Sequence, residues 1–334
     1  MNKTKILISG LGGIAQIAHL PSLSRFDDIE ISAVCDIDKS KAKTIAEKYS
    51  IGRYYTDYDR MLDEVRADCV IITTPTYLHK EQTIKALSRK LNVFVEKPLA
   101  LNYAEAYAIN QAVMRYKTKL MVGMNNRFRP DVMMQQSFIS ADEIGDVFYI
   151  KCGFLKRRST EQTWSVNKSA SGGGVFMDLG IVMLDIALWL MKFPKIKSVT
   201  AVNYYHTFKD VEDSSFVLLR FANNATVTIE SSWNLHREDD LFYCNVYGRE
   251  GSSSINPLKI YKKIHGTLVN ITPLKIEKPA NIFKRTYEYQ IRHFINCIRS
   301  NTPNISGVKE ALNRMKIVDA IYKSARSGKE VLFK

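Results

Sequence analysis

Lys97 stands between Glu96 and Pro98. A proline fixes its own φ and restricts the residue before it, so this lysine is carried on a stiff piece of chain. A held ammonium can hydrogen-bond a substrate hydroxyl or stabilise a developing alkoxide, and as the free amine it can take the hydroxyl proton. The plainer reading is a solvated surface lysine. A cis Lys97–Pro98 bond is a companion expectation. The second candidate is the run Ser171-Gly172-Gly173-Gly174-Val175-Phe176-Met177-Asp178-Leu179-Gly180-Ile181-Val182-Met183-Leu184-Asp185. Three glycines lead into a helix. On it Asp178, Val182 and Asp185 have the i, i+4, i+7 spacing of one face. Asp178 reads equally as a substrate contact or as an N-cap. Asp185, mid-helix among apolar residues, reads as a buried structural carboxylate. Arg127, Arg129 and the run Lys156-Arg157-Arg158 offer planar guanidinium forks suited to a phosphate or carboxylate on a substrate. A solvated basic turn explains residues 156–158 at least as well. Trp164 and Trp233 read as packing.

These residues need elements to hold them. Lys5-Ile6-Leu7-Ile8-Ser9 is a short buried strand, followed by Gly10-Leu11-Gly12-Gly13-Ile14-Ala15 and a helical stretch. This is the G-x-G-x-x-A dinucleotide fingerprint in its required setting. Gly10 makes the tight turn, Gly12 admits a pyrophosphate, and Ala15 lets the helix pack on the strand. Gly13 and Ile14 complete the loop, and the helix start offers free N–H groups to phosphates. A second strand, Glu30 to Asp36, ends in an acid placed to hold the hydroxyls of an adenosine ribose. That acid would repel a 2′-phosphate, so NAD(H) is expected over NADP(H). Lys39 and Lys41 nearby read as solvated. Further strands end at Thr74-Pro75, at Glu96-Lys97-Pro98 and just before Asn125, with helices between them. Alternation at this spacing requires a parallel sheet with crossover helices, and ligands on such sheets sit beyond the carboxyl ends of the strands.

After about Arg129 the pattern changes. Residues 147–156, 198–206, 214–221, 225–233 and 241–247 are β-branched and aromatic, with turn signals between several of them. One long helix, starting near Asp178, interrupts them. Further short strands are expected within 253–271, and helices over 285–299 and 308–327. The expected fold is therefore α/β plus α+β: a doubly wound parallel sheet, then a mostly antiparallel open sheet.

The 334 residues suffice for about two domains, and 46% apolar with 25% charged residues is ordinary for a globular enzyme. No run of about eighteen apolar residues is seen, so no membrane span is expected. Met1-Asn2-Lys3-Thr4 leads directly into a strand, which leaves no room for a signal peptide. The five cysteines are far apart and lack C-x-x-C spacing, so reduced cytoplasmic thiols and no metal site are expected. The net charge of +14 comes from scattered lysines, which argues against specific nucleic-acid binding.

The chain resembles the glucose–fructose oxidoreductase / inositol dehydrogenase / MocA (Gfo/Idh/MocA) family of NAD(P)-dependent oxidoreductases. The matching segments are Gly10 to Ala15, Thr74-Pro75 with His79, Glu96-Lys97-Pro98, Asn125 to Pro130, Gly172 to Asp185, Val211-Glu212-Asp213 and Gly307 to Gly328. The resemblance implies a Rossmann domain over 1–124 and a substrate-binding and oligomerising domain over 125–334. It implies a homodimer or homotetramer, and hydride exchange between nicotinamide and a carbinol or ketone of a sugar or nucleotide sugar. Thr74, Pro75, His79, Glu96 and Asn125 are then expected at the cofactor, with Asp36 at its ribose. Lys97 matches the family's catalytic lysine. Asp178 matches the acid four residues before the catalytic histidine, whose own place is taken by Val182. Valine moves no proton. The expectation is that Lys97, with Asp178, does so alone, while Arg127, Arg158, Asp178 and Val182 face the substrate. The alternative is a nicotinamide-dependent binding or regulatory protein with little turnover.

Overall fold

The computed structural model describes residues 3–156, 164–234, 238–277 and 279–333. The chain forms two compact units, Met1–Asn125 with Ala280–Met315, and Asn126–Pro279 with Lys316–Lys334.

The first unit is built on six parallel strands: β1 (Thr4–Ser9), β2 (Ile29–Cys35), β3 (Tyr54–Tyr55), β4 (Cys69–Ile72), β5 (Asn92–Glu96) and β6 (Leu120–Gly123). Their order is β3-β2-β1-β4-β5-β6. The direction of winding reverses between β1 and β4, the switch point at which such sheets bind ligands. Ile8 of β1 lies opposite Val34 on one side and Ile71 on the other, and all three are fully buried. Burial on both faces is why these strands read as continuous apolar runs rather than alternating ones. Helix starts are fixed locally. Asp38, Asp57 and Asn102 each accept the backbone N–H three residues on, and so begin Lys39–Lys48, Tyr58–Glu64 and Tyr103–Tyr116. The helix Ile282–Arg299 also belongs to this unit, capped by Asn281. Ser306 continues it at the sheet edge, where its carbonyl accepts the Val122 N–H at 2.9 Å.

The second unit carries a nine-stranded sheet. Its strands are β7 (Val147–Leu155), β8 (Ile196–Tyr204), β9 (Ser214–Phe221), β10 (Thr226–Ser232), β11 (Leu241–Gly248), β12 (Gly251–Ser254), β13 (Lys259–Ile264), β14 (Thr267–Asn270) and β15 (Val331–Leu332). The order is β14-β13-β12-β11-β7-β10-β9-β8-β15, antiparallel except between β10 and β7. Alternation along β9 buries Val217 and Leu219 and leaves Phe216 exposed. The helix Ile181–Leu190 packs on β7, where the Cys152 thiol lies 3.9 Å from the Met183 carbonyl. Together with the preceding turns it makes one run, Lys168–Leu190, long and apolar enough by composition to cross a membrane. Within the structure most of that stretch is buried in protein, as a core helix is. Two elements escaped the sequence pattern. The helix Pro130–Ser140 has no apolar stripe, and β15 is only two residues long.

Ion pairs tie the late helix to the first strands of its unit. Arg292 Nη1 lies 2.7 Å from Asp28 Oδ2, Arg299 pairs with the same carboxylate, and the Arg292 guanidinium sits 3.8 Å from the Phe26 ring centroid. The Arg292 hydrogen bond foremost, then Arg299, holds the Asp28 carboxyl down at about 2 from an ordinary 3.8. A carboxyl depressed in the folded state stabilises above its unfolded value, and that stabilisation is lost as pH falls from 3.8 towards 2. Asp28→Asn should therefore lower the urea midpoint at pH 7, and the gap from the parent should narrow steadily as unfolding is repeated at more acid pH.

Candidate functional site

In the first unit the ends of β1, β2, β4 and β5 meet around the glycine loop. Gly10 has φ +86°, and a Cβ there would lie 2.7 Å from the Thr74 nitrogen. Only glycine permits both the conformation and the contact. A Cβ at Gly12 or Gly13 would meet nothing within 4 Å, so the backbone there faces open space. Ala15 is fully buried and begins a wide, π-helical turn, Ala15–His19, in which the Leu20 N–H reaches back five residues to the Ala15 carbonyl. Ile14, half-buried, caps that turn. Asp36 fastens the loop: its Oδ2 accepts the Leu11 N–H at 2.7 Å, and its Oδ1 accepts the Asp38 N–H at 3.0 Å. Lys41, expected to be solvated, instead places its Nζ 3.2 Å from Asp36 Oδ1. Beside this acid Ile37 is 93% exposed, an apolar surface the sequence reading passed over. Thr73 Oγ1 donates to the Gly10 carbonyl at 2.6 Å, and Thr74 Oγ1 donates to Gln82, so the Thr74-Pro75 turn is locked to the loop. Asn125 lies just past β6 and donates its amide to Thr286 Oγ1.

Two residues expected to touch a cofactor turn inward instead. Glu96 is buried, with His19 Nε2 at 2.7 Å from its Oε1 and the Lys97 backbone N–H on its Oε2 at 3.2 Å. His79 is buried with Nδ1 2.8 Å from the Pro98 carbonyl and Nε2 2.8 Å from the Thr74 carbonyl. Burial drives its pKa below the ordinary value. Both side chains have partners inside the protein, and through them they shape the turn that bears Lys97. The Lys97–Pro98 bond is cis, as expected. Lys97 itself is half-buried.

In the second unit the glycine run passes over Glu212. A Cβ on Gly174 would fall 2.0 Å from the Glu212 carbonyl oxygen. The buried Glu212 carboxylate accepts N–H groups of Gly174 and Phe176, both at 3.0 Å, and the Tyr322 hydroxyl at 2.8 Å. Burial raises the Glu212 pKa, and burial with this carboxylate pushes the Tyr322 phenol well up. The chain then makes a second π-helical turn, Phe176–Gly180, in which the Ile181 N–H reaches back to the Phe176 carbonyl. Gly180 is required because the Phe176 ring lies where its Cβ would be. Asp178 stands in this turn and does not cap it. Trp233 Nε1 donates to Asp178 Oδ2 at 3.1 Å, a role beyond the packing expected of this tryptophan. Val182 is buried in the helix that follows.

The arginines divide differently from expectation. Arg127 is 0% exposed and gives a two-pronged grip to Asp185, Nε to Oδ2 at 2.8 Å and Nη2 to Oδ1 at 2.6 Å, between the Trp189 and Phe193 rings. In the structure it is a buried cation paired with a carboxylate. Asp185 is its buried carboxylate. Arg129 pairs with Asp131 and lies over Phe242. Arg158 lies outside the described residues. Glu212, Tyr322 and His19 were not singled out for chemistry in the sequence. Only the triplet Val211-Glu212-Asp213 signalled the first of them.

Residues 4–124 match the oxidoreductase family described as NAD-binding Rossmann fold, GFO_IDH_MocA, and residues 136–333 match its C-terminal alpha/beta domain. D-glucoside 3-dehydrogenase of Escherichia coli (strain K12) is 28% identical, the alignment covering 98% of this chain and 97% of that one. scyllo-Inositol 2-dehydrogenase (NAD(+)) of Bacillus subtilis (strain 168) is 26% identical over 99% and 96%. Among solved structures, the aldose-aldose oxidoreductase of Caulobacter crescentus complexed with glycerol superposes with a TM-score of 0.87 at 25% identity, covering 99% of this chain and all of that one.

The buried imidazole of His79 has a pH signature. Its folded pKa lies below the ordinary 6.5, so the unfolded chain binds the extra proton first, and stability falls as pH drops below 6.5. His79→Gln should flatten this part of the stability profile between pH 7 and 5, measured by urea unfolding.

Proposed function

The chain belongs to the Gfo/Idh/MocA family of oxidoreductases, and from that premise we propose that it exchanges a hydride between NAD(H) and a carbinol or ketone of a sugar or nucleotide sugar. The observation that carries this reading is the open space over Gly12 and Gly13, beside an inward-fastened acid and a turn that holds Lys97 rigidly. Gly10, Gly12, Gly13, Ile14 and Ala15 would line the pyrophosphate, whose charge suits the free N–H groups of the helix start. Asp36 would meet the adenosine ribose, with Ile37 as an apolar flank. Thr74, Pro75 and Asn125 would border the nicotinamide half. NAD(H) is preferred because a 2′-phosphate would approach the Asp36 carboxylate, although the Lys41 ammonium beside it softens that repulsion. When bound, the nicotinamide supplies or receives the hydride.

The protein's own part is the proton. In the oxidative direction the Lys97 amine takes the hydroxyl proton as the carbinol becomes a carbonyl. In reverse the ammonium returns it. Asp178, steadied by Trp233, orients a substrate hydroxyl. The rival reading, a binder with little turnover, rests on Val182 alone, and the relatives named above are dehydrogenases. We place the enzyme in the cytoplasm as a homodimer or homotetramer. The five thiols are all free, and Phe148, Val202, Tyr204, Phe216 and Tyr247 are exposed apolar residues of the nine-stranded sheet. An anionic substrate loses support with Arg127 committed to Asp185.

Lys97→Ala should keep NADH affinity, followed by nucleotide fluorescence, within about threefold. It should also reduce turnover on methyl D-glucosides or inositols by on the order of 10² to 10⁴, the usual worth of general acid–base help. Turnover at the parental rate would remove Lys97 from the chemistry. Val182→His should raise turnover at neutral pH by roughly tenfold or more, because it restores a proton-transferring ring.

A further inference from the structure

We propose that His19 is a positioning residue for Lys97, acting through Glu96. The proposal rests on the reading of Lys97 given above. His19 closes the wide turn that begins at the glycine loop, and it is 0% exposed. Its Nε2 lies 2.7 Å from Glu96 Oε1. Phe94 and Tyr287 pack edge-on against the imidazole, each with its centroid 5.4 Å away, so the ring has one orientation. Its Nδ1 is buried without a hydrogen-bond partner, so the whole polar commitment of the side chain goes to one carboxylate.

Glu96 passes that constraint on. Its Oε2 accepts the Lys97 backbone N–H. Gly123 of β6 leaves the room: a Cβ there would sit 2.9 Å from the same Oε2. The carboxylate is thus pinned by the imidazole on one oxygen and by the lysine's own backbone on the other. Removing a buried polar pair from water costs free energy, and a packed apolar pair would serve stability as well. What the polar pair adds is a fixed direction for the peptide from which Lys97 projects. His79 holds the far side of the same turn through the Pro98 carbonyl. His19 therefore joins the turn that would receive the pyrophosphate to the strand end that presents the ammonium.

The test is a set of variants of the full-length protein. His19→Leu keeps an apolar fill between Phe94 and Tyr287, and His19→Gln keeps an N–H donor near the Nε2 position. Turnover is measured with NAD and methyl D-glucoside or scyllo-inositol, whichever the parent oxidises, beside NADH affinity. A misplaced catalytic group can cost up to about 10²-fold, so kcat of His19→Leu should fall by roughly tenfold or more with KM and NADH affinity within about threefold. His19→Gln should recover most of that loss. In a Lys97→Ala background, His19→Leu should cost nothing further. After reductive ¹³C-methylation, the Lys97 signal, assigned by its disappearance in Lys97→Arg, should shift in His19→Leu and stay near its parental position in His19→Gln. An equal loss from His19→Leu with and without Lys97 overturns the positioning role, as does parental kcat with an unmoved Lys97 signal. Parental turnover in Lys97→Ala alone is a different result and removes the reading on which the proposal stands. Should His19→Leu not fold, His19→Gln and the Lys97 signal decide it: a Gln variant with low kcat and a displaced signal contradicts rescue by the donor.

Discussion

A carboxylate withdrawn from water and given to the protein's own N–H groups is the interaction on which the candidate site depends. Asp36 holds the Leu11 N–H, Glu96 holds that of Lys97, and Glu212 holds those of Gly174 and Phe176. Each acid sits under a turn that carries a residue of the proposed chemistry. Such a carboxylate cannot relax, because losing its partners would leave a charge stranded in a medium of low polarity. These bonds hold the turns together with backbone ones, such as Gly10 N–H to the Cys35 carbonyl at 2.8 Å and Val175 N–H to the Glu212 carbonyl at 2.9 Å. Gly123 and Gly174 supply the close approach of Glu96 and Glu212, while Gly10 lets the first turn lie against Thr73 and Thr74.

Much of the first unit was legible in the sequence because its signals are local. A buried parallel strand is a run of apolar residues, and a helix start is an acid or asparagine with its partner three residues on. The fingerprint loop and the acid closing β2 could be placed by counting. The inward turn of Glu96 and His79 could not. The partner of Glu96 is 77 residues away, and the carbonyls that His79 meets carry no residue identity. Arg127 shows the same limit from the other side. Its position after β6 suggested a ligand for an anion, but Asp185, 58 residues later, had already claimed it. The helix Pro130–Ser140 hid because its buried Gln135 is polar and satisfied by the Cys244 carbonyl and Ser253.

Val182 separates fold from chemistry in this chain. The helix around it is complete, and nine of its ten residues are buried. Valine there is buried with its neighbours and carries no proton. In the proposed chemistry the proton then falls to a lysine on a tightly held turn, which gives the geometry behind that turn its weight.

The two wide turns have a bearing on how this chain is compared with its kin. A turn that closes five residues back advances the helix by less angle per residue than an ordinary one. Side chains after Gly180 are thus rotated from where a regular helix counted from Asp178 would put them, and Asp178 meets an indole while Asp185, two turns on, meets a guanidinium. A cousin lacking the bulge would present the same letters at a different azimuth.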